Sequence, residues 1–230
     1  MTPALYYLLP MFRRGLTIDP GVPDSIFDPG AWQSSITASI AEFIRLKGLP
    51  SPDIEAEAAQ IFQNLLLMAK THGDMIHNFT LDQAGLDATR WMAVVGVDSK
   101  TRVKLNIILN DGRVDFSIES GDRDNQWDNE DPMMRRLTGD GTVPYEGAVP
   151  AFLKEENLIC VTPDDYGYWE IQDKALSAIA GFHGILPNMN MLHRLIVRFL
   201  KNLDDNRGST WGRSAPGVVN WEPPLTLTRK

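Results

Sequence analysis

The chain is 230 residues long, with 43% apolar and 23% charged residues, a balance that excludes disordered, collagen-like and low-complexity sequence. That length suits one domain of ordinary size, or a core with a cap. The net charge is -8, from 22 Lys and Arg against 30 Asp and Glu. With no long basic run, this argues against a nucleic-acid partner and against electrostatic attachment to anionic membranes. The single cysteine, Cys160, excludes an internal disulfide and a thiolate zinc cluster. The longest apolar runs, such as Leu65–Ala69, fall far short of the roughly 20 residues needed to span a bilayer. The apolar stretch Ala4–Leu9 precedes Arg13 and Arg14, the reverse of a secretory signal. No leader or anchor is visible, which leaves the compartment open and tilts it toward the cytoplasm.

Residues 1–27 are rich in Pro and Gly and read as loop with short extended pieces. Asp28 and Pro29 open a predicted helix, with Asp28 as cap and Pro29 in the first helical position. Trp32, Ile36, Ile40, Phe43 and Ile44 recur at helical spacing up to Gly48. A second helix starts at Ser51-Pro52-Asp53, with Ile54, Ala58, Ile61, Phe62, Leu65 and Met68 as its apolar stripe, and ends near Gly73. Residues 74–90 are mixed. Residues 91–97 are almost wholly apolar, which suits a strand covered on both faces in a parallel sheet. Val103–Leu109 and Arg113–Glu119 alternate around Asn110-Asp111-Gly112, a strong hairpin signal. An acidic loop over 120–138 follows, then a second buried-type strand at 157–162. An amphipathic helix spans 188–203, with Leu192, Leu195, Ile196, Phe199 and Leu200 on one side and Arg198 and Lys201 near its end. The remainder reads as an irregular tail pinned by Trp211 and Trp221. The sum is an α/β chain with a helical first third and a sheet that is small for the length.

Two residues stand out for chemistry. Asp140 sits in Gly139-Asp140-Gly141-Thr142-Val143-Pro144, where paired glycines allow a tight turn that presents a carboxylate at a strand edge. Taken alone this is also an ordinary turn. His183 sits in Gly181-Phe182-His183-Gly184, between the second buried strand and the last helix. It reads either as a catalytic base or as a loop histidine capping a helix. Together the two follow the acid-then-base order of serine hydrolases, where a carboxylate fixes the tautomer of a histidine that takes a proton from a hydroxyl. No serine lies in Gly-x-Ser-x-Gly. Ser99 is nearest but lacks both glycines of that turn, and Cys160, among apolar neighbours, reads as core. His72 and His77 miss the four-residue spacing of helical zinc motifs. The run Asp122–Asp131 has the composition of a calcium loop but neither its glycine nor its final Glu. His193 reads as helix surface.

Several stretches together resemble the C-terminal part of lecithin:cholesterol acyltransferase-like α/β-hydrolases. They are Thr2–Pro10, with its Leu-Leu-Pro ending, Ile26–Pro29 with Trp32, Val94–Thr101 with its Gly-x-x-x-x-Thr turn, Gly139–Pro144, and His183 with the helix after it. The resemblance spans residues 2–200. It implies a partial α/β-hydrolase domain over 1–230, with a cap or lid-like region over 20–90, a hairpin insertion, a C-terminal core over 91–203 and a tail over 204–230. It implies Asp140 as triad acid and His183 as base, a lipid or other acyl-ester substrate, and no metal or organic cofactor. It departs from the family in lacking the nucleophile elbow. The expectation is that Met1 begins downstream of the serine and that the missing N-terminal half is a partner. The chain alone is then inactive, with an apolar sheet edge or helix face exposed where that half docks. The alternative is a non-catalytic lipid- or protein-binding module on the same scaffold. A third reading is a metal hydrolase built on His72, His77 and the acidic loop.

Overall fold

The computed structural model describes residues 3–87, 90–121, 130–131, 133–203 and 211–222. Residues 1–2, 88–89, 122–129, 132, 204–210 and 223–230 lie outside the described residues, and with them most of the calcium-like loop. The chain forms two compact units, residues 1–78 with 104–118, and residues 79–103 with 119–230. The hairpin, which the sequence grouped with the C-terminal core, thus divides, and most of it belongs to the first unit. The architecture is mixed α/β, with six α-helices and two small sheets among the described residues.

In the first unit, Pro3–Leu8 forms a 3-10 helix and Leu16–Ile18 a short strand, β1. Asp28 does cap, accepting from the Gly30 amide at 2.7 Å, but it caps only a 3-10 turn, Pro29–Ala31. The first long helix, α1, is Ser35–Lys47. Trp32 is extended because tertiary partners claim it. Its indole N–H donates to the Ile26 carbonyl at 2.7 Å, and its ring meets Phe62 and Phe116 edge-on. Gly48, at φ 61°, ends α1 in the left-handed conformation open to glycine.

The second helix, α2, is Ile54–His77, capped by Asp53 accepting from Ala56 at 3.0 Å. It runs on past the predicted stop at Gly73. A Cβ at Gly73 would stand 1.8 Å from the Met11 sulfur, so this glycine admits a close neighbour rather than ending the helix. The buried stripe is Ala58, Phe62, Leu66 and Ala69, while Ile61 and Met68 are exposed. The run from Leu65 to Ala69 is apolar all round, so periodicity alone could not choose the inward face. Tyr6, Ile40 and Ile44 pack against it. The long hairpin strands, β3 (Thr101–Asn110) and β4 (Arg113–Gly121), turn through Asp111 and Gly112, both at positive φ, as predicted. β1 joins β3 in parallel, Leu16 opposite Leu105, and Ile107 seals a small core with Ile26 and Ala31.

In the second unit the two apolar runs become β2 (Ala93–Gly96) and β5 (Leu158–Val161), paired in parallel with Ala93 opposite Leu158 and Gly96 opposite Val161. Side chains alternate between two covered faces. Val95, Leu158 and Cys160 pack with Tyr145 and Leu153 on one, and Ile159 and Val161 with Phe182, Met189 and Leu195 on the other. Between β2 and β5 lies the one-turn helix α3 (Tyr145–Ala148). After β5 come α4 (Ile171–Ala180), which sequence patterning did not isolate, the one-turn helix α5 (Phe182–Ile185) and α6 (Asn190–Lys201). α6 buries Met191, Leu195 and, against expectation, Arg198, whose guanidinium lies 5.7 Å from the Trp211 ring centre. The tail is pinned as expected. Trp211 is buried, Arg213 exchanges two backbone hydrogen bonds with Cys160, and the Trp221 indole donates to the Glu156 carbonyl. No helix among the described residues is long and apolar enough to cross a membrane.

Candidate functional site

Asp140 lies beyond the carboxyl end of β2, reached after the hairpin excursion. Several contacts fix its turn. The Ser99 amide donates to the Gly139 carbonyl at 3.0 Å. The Asp98 amide donates to Thr138 Oγ1 at 2.8 Å, and the Gly141 amide to Thr101 Oγ1 at 2.9 Å. Tyr145, fully buried, donates its amide to the Thr138 carbonyl at 2.7 Å. Both glycines of the motif are structural necessities. A Cβ on Gly139 would meet the Val143 carbonyl oxygen at 2.3 Å, and Gly141 sits at φ 96°.

The carboxylate itself is almost fully bonded. Oδ1 accepts from the Thr142 and Val143 amides at 3.0 and 2.7 Å. Oδ2 lies 2.7 Å from His183 Nδ1. The His183 amide also donates to the Asp140 carbonyl oxygen at 2.9 Å, so backbone and side chain both hold the histidine to the acid. His183 is not in a loop but in the first turn of α5, entered through Gly181 at φ 93°. The pair has an unequal burial. The Asp140 side chain is 11% exposed and the His183 side chain 50% exposed. One nitrogen of the ring therefore faces a nearly buried carboxylate. Nε2 has no hydrogen-bond partner among the described residues.

Beside the pair opens a cavity of about 850 Å³. Gly141 and Phe182, the chain neighbours of the two dyad residues, line it, with Tyr166, Ile171, Ala175 and Ala178 from the segment after β5 and from α4. Burial pushes the Tyr166 phenol up to about 12. Tyr168, which lines the cavity, and its neighbour Trp169 are exposed, the latter at 90%, and their rings meet edge-on at 5.1 Å. The wall is braced by Glu170, a buried carboxylate that accepts from the Gly167 amide at 2.5 Å and the Asn190 amide at 2.7 Å. Sequence reasoning passed over Glu170 and the cavity. Thr101 is marked in the sequence only by its spacing from Gly96 in the Gly-x-x-x-x-Thr turn.

The other candidates do not complete a site with the dyad. Ser99 borders the cavity but bridges to Gly139 and Asp140 through its backbone and stands on no strand-to-helix turn. Cys160 is wholly buried at mid-strand, and burial pushes its thiol up to about 12, which suits a core residue and not a thiolate nucleophile. The His72 ring meets that of Tyr7 at a tilt, centroids 4.7 Å apart, and His193 Nε2 bonds the Pro187 carbonyl oxygen. No group of three metal-ligating side chains occurs among the described residues. Comparison with known proteins adds no assignment: no protein-family model, curated protein or solved structure matches the chain.

Proposed function

We propose that this chain supplies the acid and base of a serine-type acyl-ester hydrolase or O-acyltransferase of the lecithin:cholesterol acyltransferase-like kind, acting on lipid esters. In this reading the second unit is the C-terminal part of an α/β-hydrolase core, and the hydroxyl nucleophile comes from outside the described residues. The observation that carries the reading is the 2.7 Å contact between Asp140 Oδ2 and His183 Nδ1, with the other carboxylate oxygen held by two amides and Nε2 left without a partner. Such a carboxylate holds the imidazole with its proton on Nδ1, so that Nε2 is the basic nitrogen. The adjacent cavity is within the range of small-molecule sites, and its lining, more apolar than polar though it includes Lys100 and Lys174, supports an acyl chain as the group bound there.

The chemistry follows from that tautomer. As a hydroxyl oxygen attacks the ester carbonyl, Nε2 takes its proton, and the ionised Asp140 stabilises the imidazolium. The tetrahedral adduct collapses, the bond to the leaving alcohol breaks, and the imidazolium returns the proton to that alcohol. Water or a second alcohol then repeats the sequence on the acyl-enzyme. The first releases an acid and the second a new ester, so hydrolase and acyltransferase share one machinery.

The test is coexpression of the chain with a hydrolase segment bearing a Gly-x-Ser-x-Gly turn, assayed with a chromogenic fatty-acyl ester. The isolated chain gives no acyl-enzyme burst. The complex gives one, and His183→Ala lowers its turnover by about 10⁴-fold or more, because triad members act as a unit. Turnover unchanged by His183→Ala would remove the histidine from the mechanism. Saturable binding of a fatty-acyl ligand that survives loss of both Asp140 and His183, with no turnover, would favour the binding module instead.

A further inference from the structure

We infer that the cavity beside Asp140 and His183 is a binding site for a single-chain amphiphilic anion, a free fatty carboxylate whose head pairs with Lys100 and whose chain lies along α4. The charge of the lining carries the first half of this. The protein has 30 Asp and Glu against 22 Lys and Arg, yet among the described residues the cavity is lined by two lysines, Lys100 and Lys174, and by no carboxylate. Lys174 is already neutralised, its Nζ 2.9 Å from Asp164 Oδ1. Lys100 is exposed, and its ammonium has no ion-pair partner among the described residues. One uncompensated positive charge therefore borders the cavity.

The backbone fixes where that charge is carried. The Ser99 amide donates to the Gly139 carbonyl, and Thr101 Oγ1 accepts from the Gly141 amide, so Lys100 sits on the segment that braces the Asp140 turn. Asp140 itself repels an incoming anion little. Its side chain is 11% exposed, and its oxygens are taken up by two amides and by His183. The apolar part of the lining comes from elsewhere. Ile171, Ala175 and Ala178 recur at four- and three-residue intervals and so share one face of α4. A small anion would leave this face in water, and a neutral chain would leave Lys100 unpaired. A carboxylate on a hydrocarbon chain satisfies both. Under the acyl-transfer reading this ligand is the acid that hydrolysis releases, so the site retains its own product and slows turnover as it accumulates. That consequence rests on the reading; the binding does not.

The experiment is titration of the full chain with decanoate, 1-decanol and acetate, followed by calorimetry and by the methyl signals of Ala175 and Ala178. Both ten-carbon ligands shift those methyls, and acetate does not. Decanoate binds about three- to fivefold tighter than decanol at low salt, the size set by a solvent-exposed ion pair. Raising the salt to about 1 M, where the screening length is about 3 Å, removes the difference, a control that needs no variant. Lys100→Gln, a change at an exposed position, brings decanoate down to the affinity of decanol and leaves decanol unchanged. Decanoate binding no tighter than decanol would overturn the inference. So would binding that leaves both alanine methyls unshifted, or a preference that survives Lys100→Gln and is lost in His183→Ala, which would move the anion to the imidazole. The measurement uses the chain without a nucleophile and without turnover, so failure of the catalytic reading and failure of the binding inference are separately visible.

Discussion

Replacing Asp140 by Asn separates a catalytic dyad from a merely structural contact. Asn keeps the shape of Asp, and its oxygen can retain the Thr142 and Val143 amides that Oδ1 now accepts at 3.0 and 2.7 Å. Its NH₂ group then takes the place of Oδ2 opposite His183 Nδ1. An amide nitrogen only donates, so Nδ1 must accept and the ring proton moves to Nε2. The imidazole can then no longer take a proton from a hydroxyl. A hydrogen bond to an ionised acceptor contributes about 1.5–3 kcal/mol. With the histidine half exposed, solvent screening favours the lower end, still about a tenfold bias in the tautomer ratio. Nitrogen-15 spectra of the isolated chain, followed across pH, read this directly and need no nucleophile. The wild-type ring is expected to carry its proton on Nδ1 and the variant ring on Nε2, with stability changed by about 1 kcal/mol or less because both backbone bonds persist. In the reconstituted enzyme the variant loses about 10⁴-fold in turnover, the size seen for the same change in the serine-protease triad. A wild-type ring protonated on Nε2, or a tautomer indifferent to the substitution, would refute the reasoning.

Gly96→Ala places a Cβ 2.6 Å from Asp140 Cβ and 2.7 Å from Leu186 Cδ1, so we expect about 1–3 kcal/mol of destabilisation in urea together with a displaced His183 signal. Cys160 is held protonated by burial, its thiol moving from 9.0 to about 12. The folded form thus binds the proton more tightly. This contribution is complete below the unfolded value and is lost as pH rises from about 9 through about 12, at up to about 1.4 kcal/mol per pH unit. Urea midpoints measured across that window should fall, and fall less steeply for Cys160→Ala. Asp53→Ala removes the cap on α2, whose oxygen accepts from the Ala56 amide, and should cost about 1 kcal/mol in thermal or urea unfolding.

What the sequence determined by itself is what short-range chemistry decides. Asp53 begins α2 and Gly48 ends α1 because a side-chain acceptor and a left-handed glycine act within a few residues of their targets. Asp111 and Gly112 specify a hairpin for the same reason, and the unbroken apolar runs at β2 and β5 announced strands covered on both faces. The paired glycines around Asp140 marked a turn that only those residues can make. Other features depended on partners distant in sequence. Trp32 left its helical register because Ile26, Phe62 and Phe116 supply a better site than a helix start. Among the many apolar residues of α2, packing chose Phe62 and Leu66 for the core. Arg198 reads as a surface cation until Trp211 is folded over it. The Asp140–His183 contact is the extreme case. Local sequence could present each residue and propose their order, but only the pairing of β2 with β5 and the turn into α5 could close the distance to 2.7 Å, because hydrogen bonding acts through space and not along the chain.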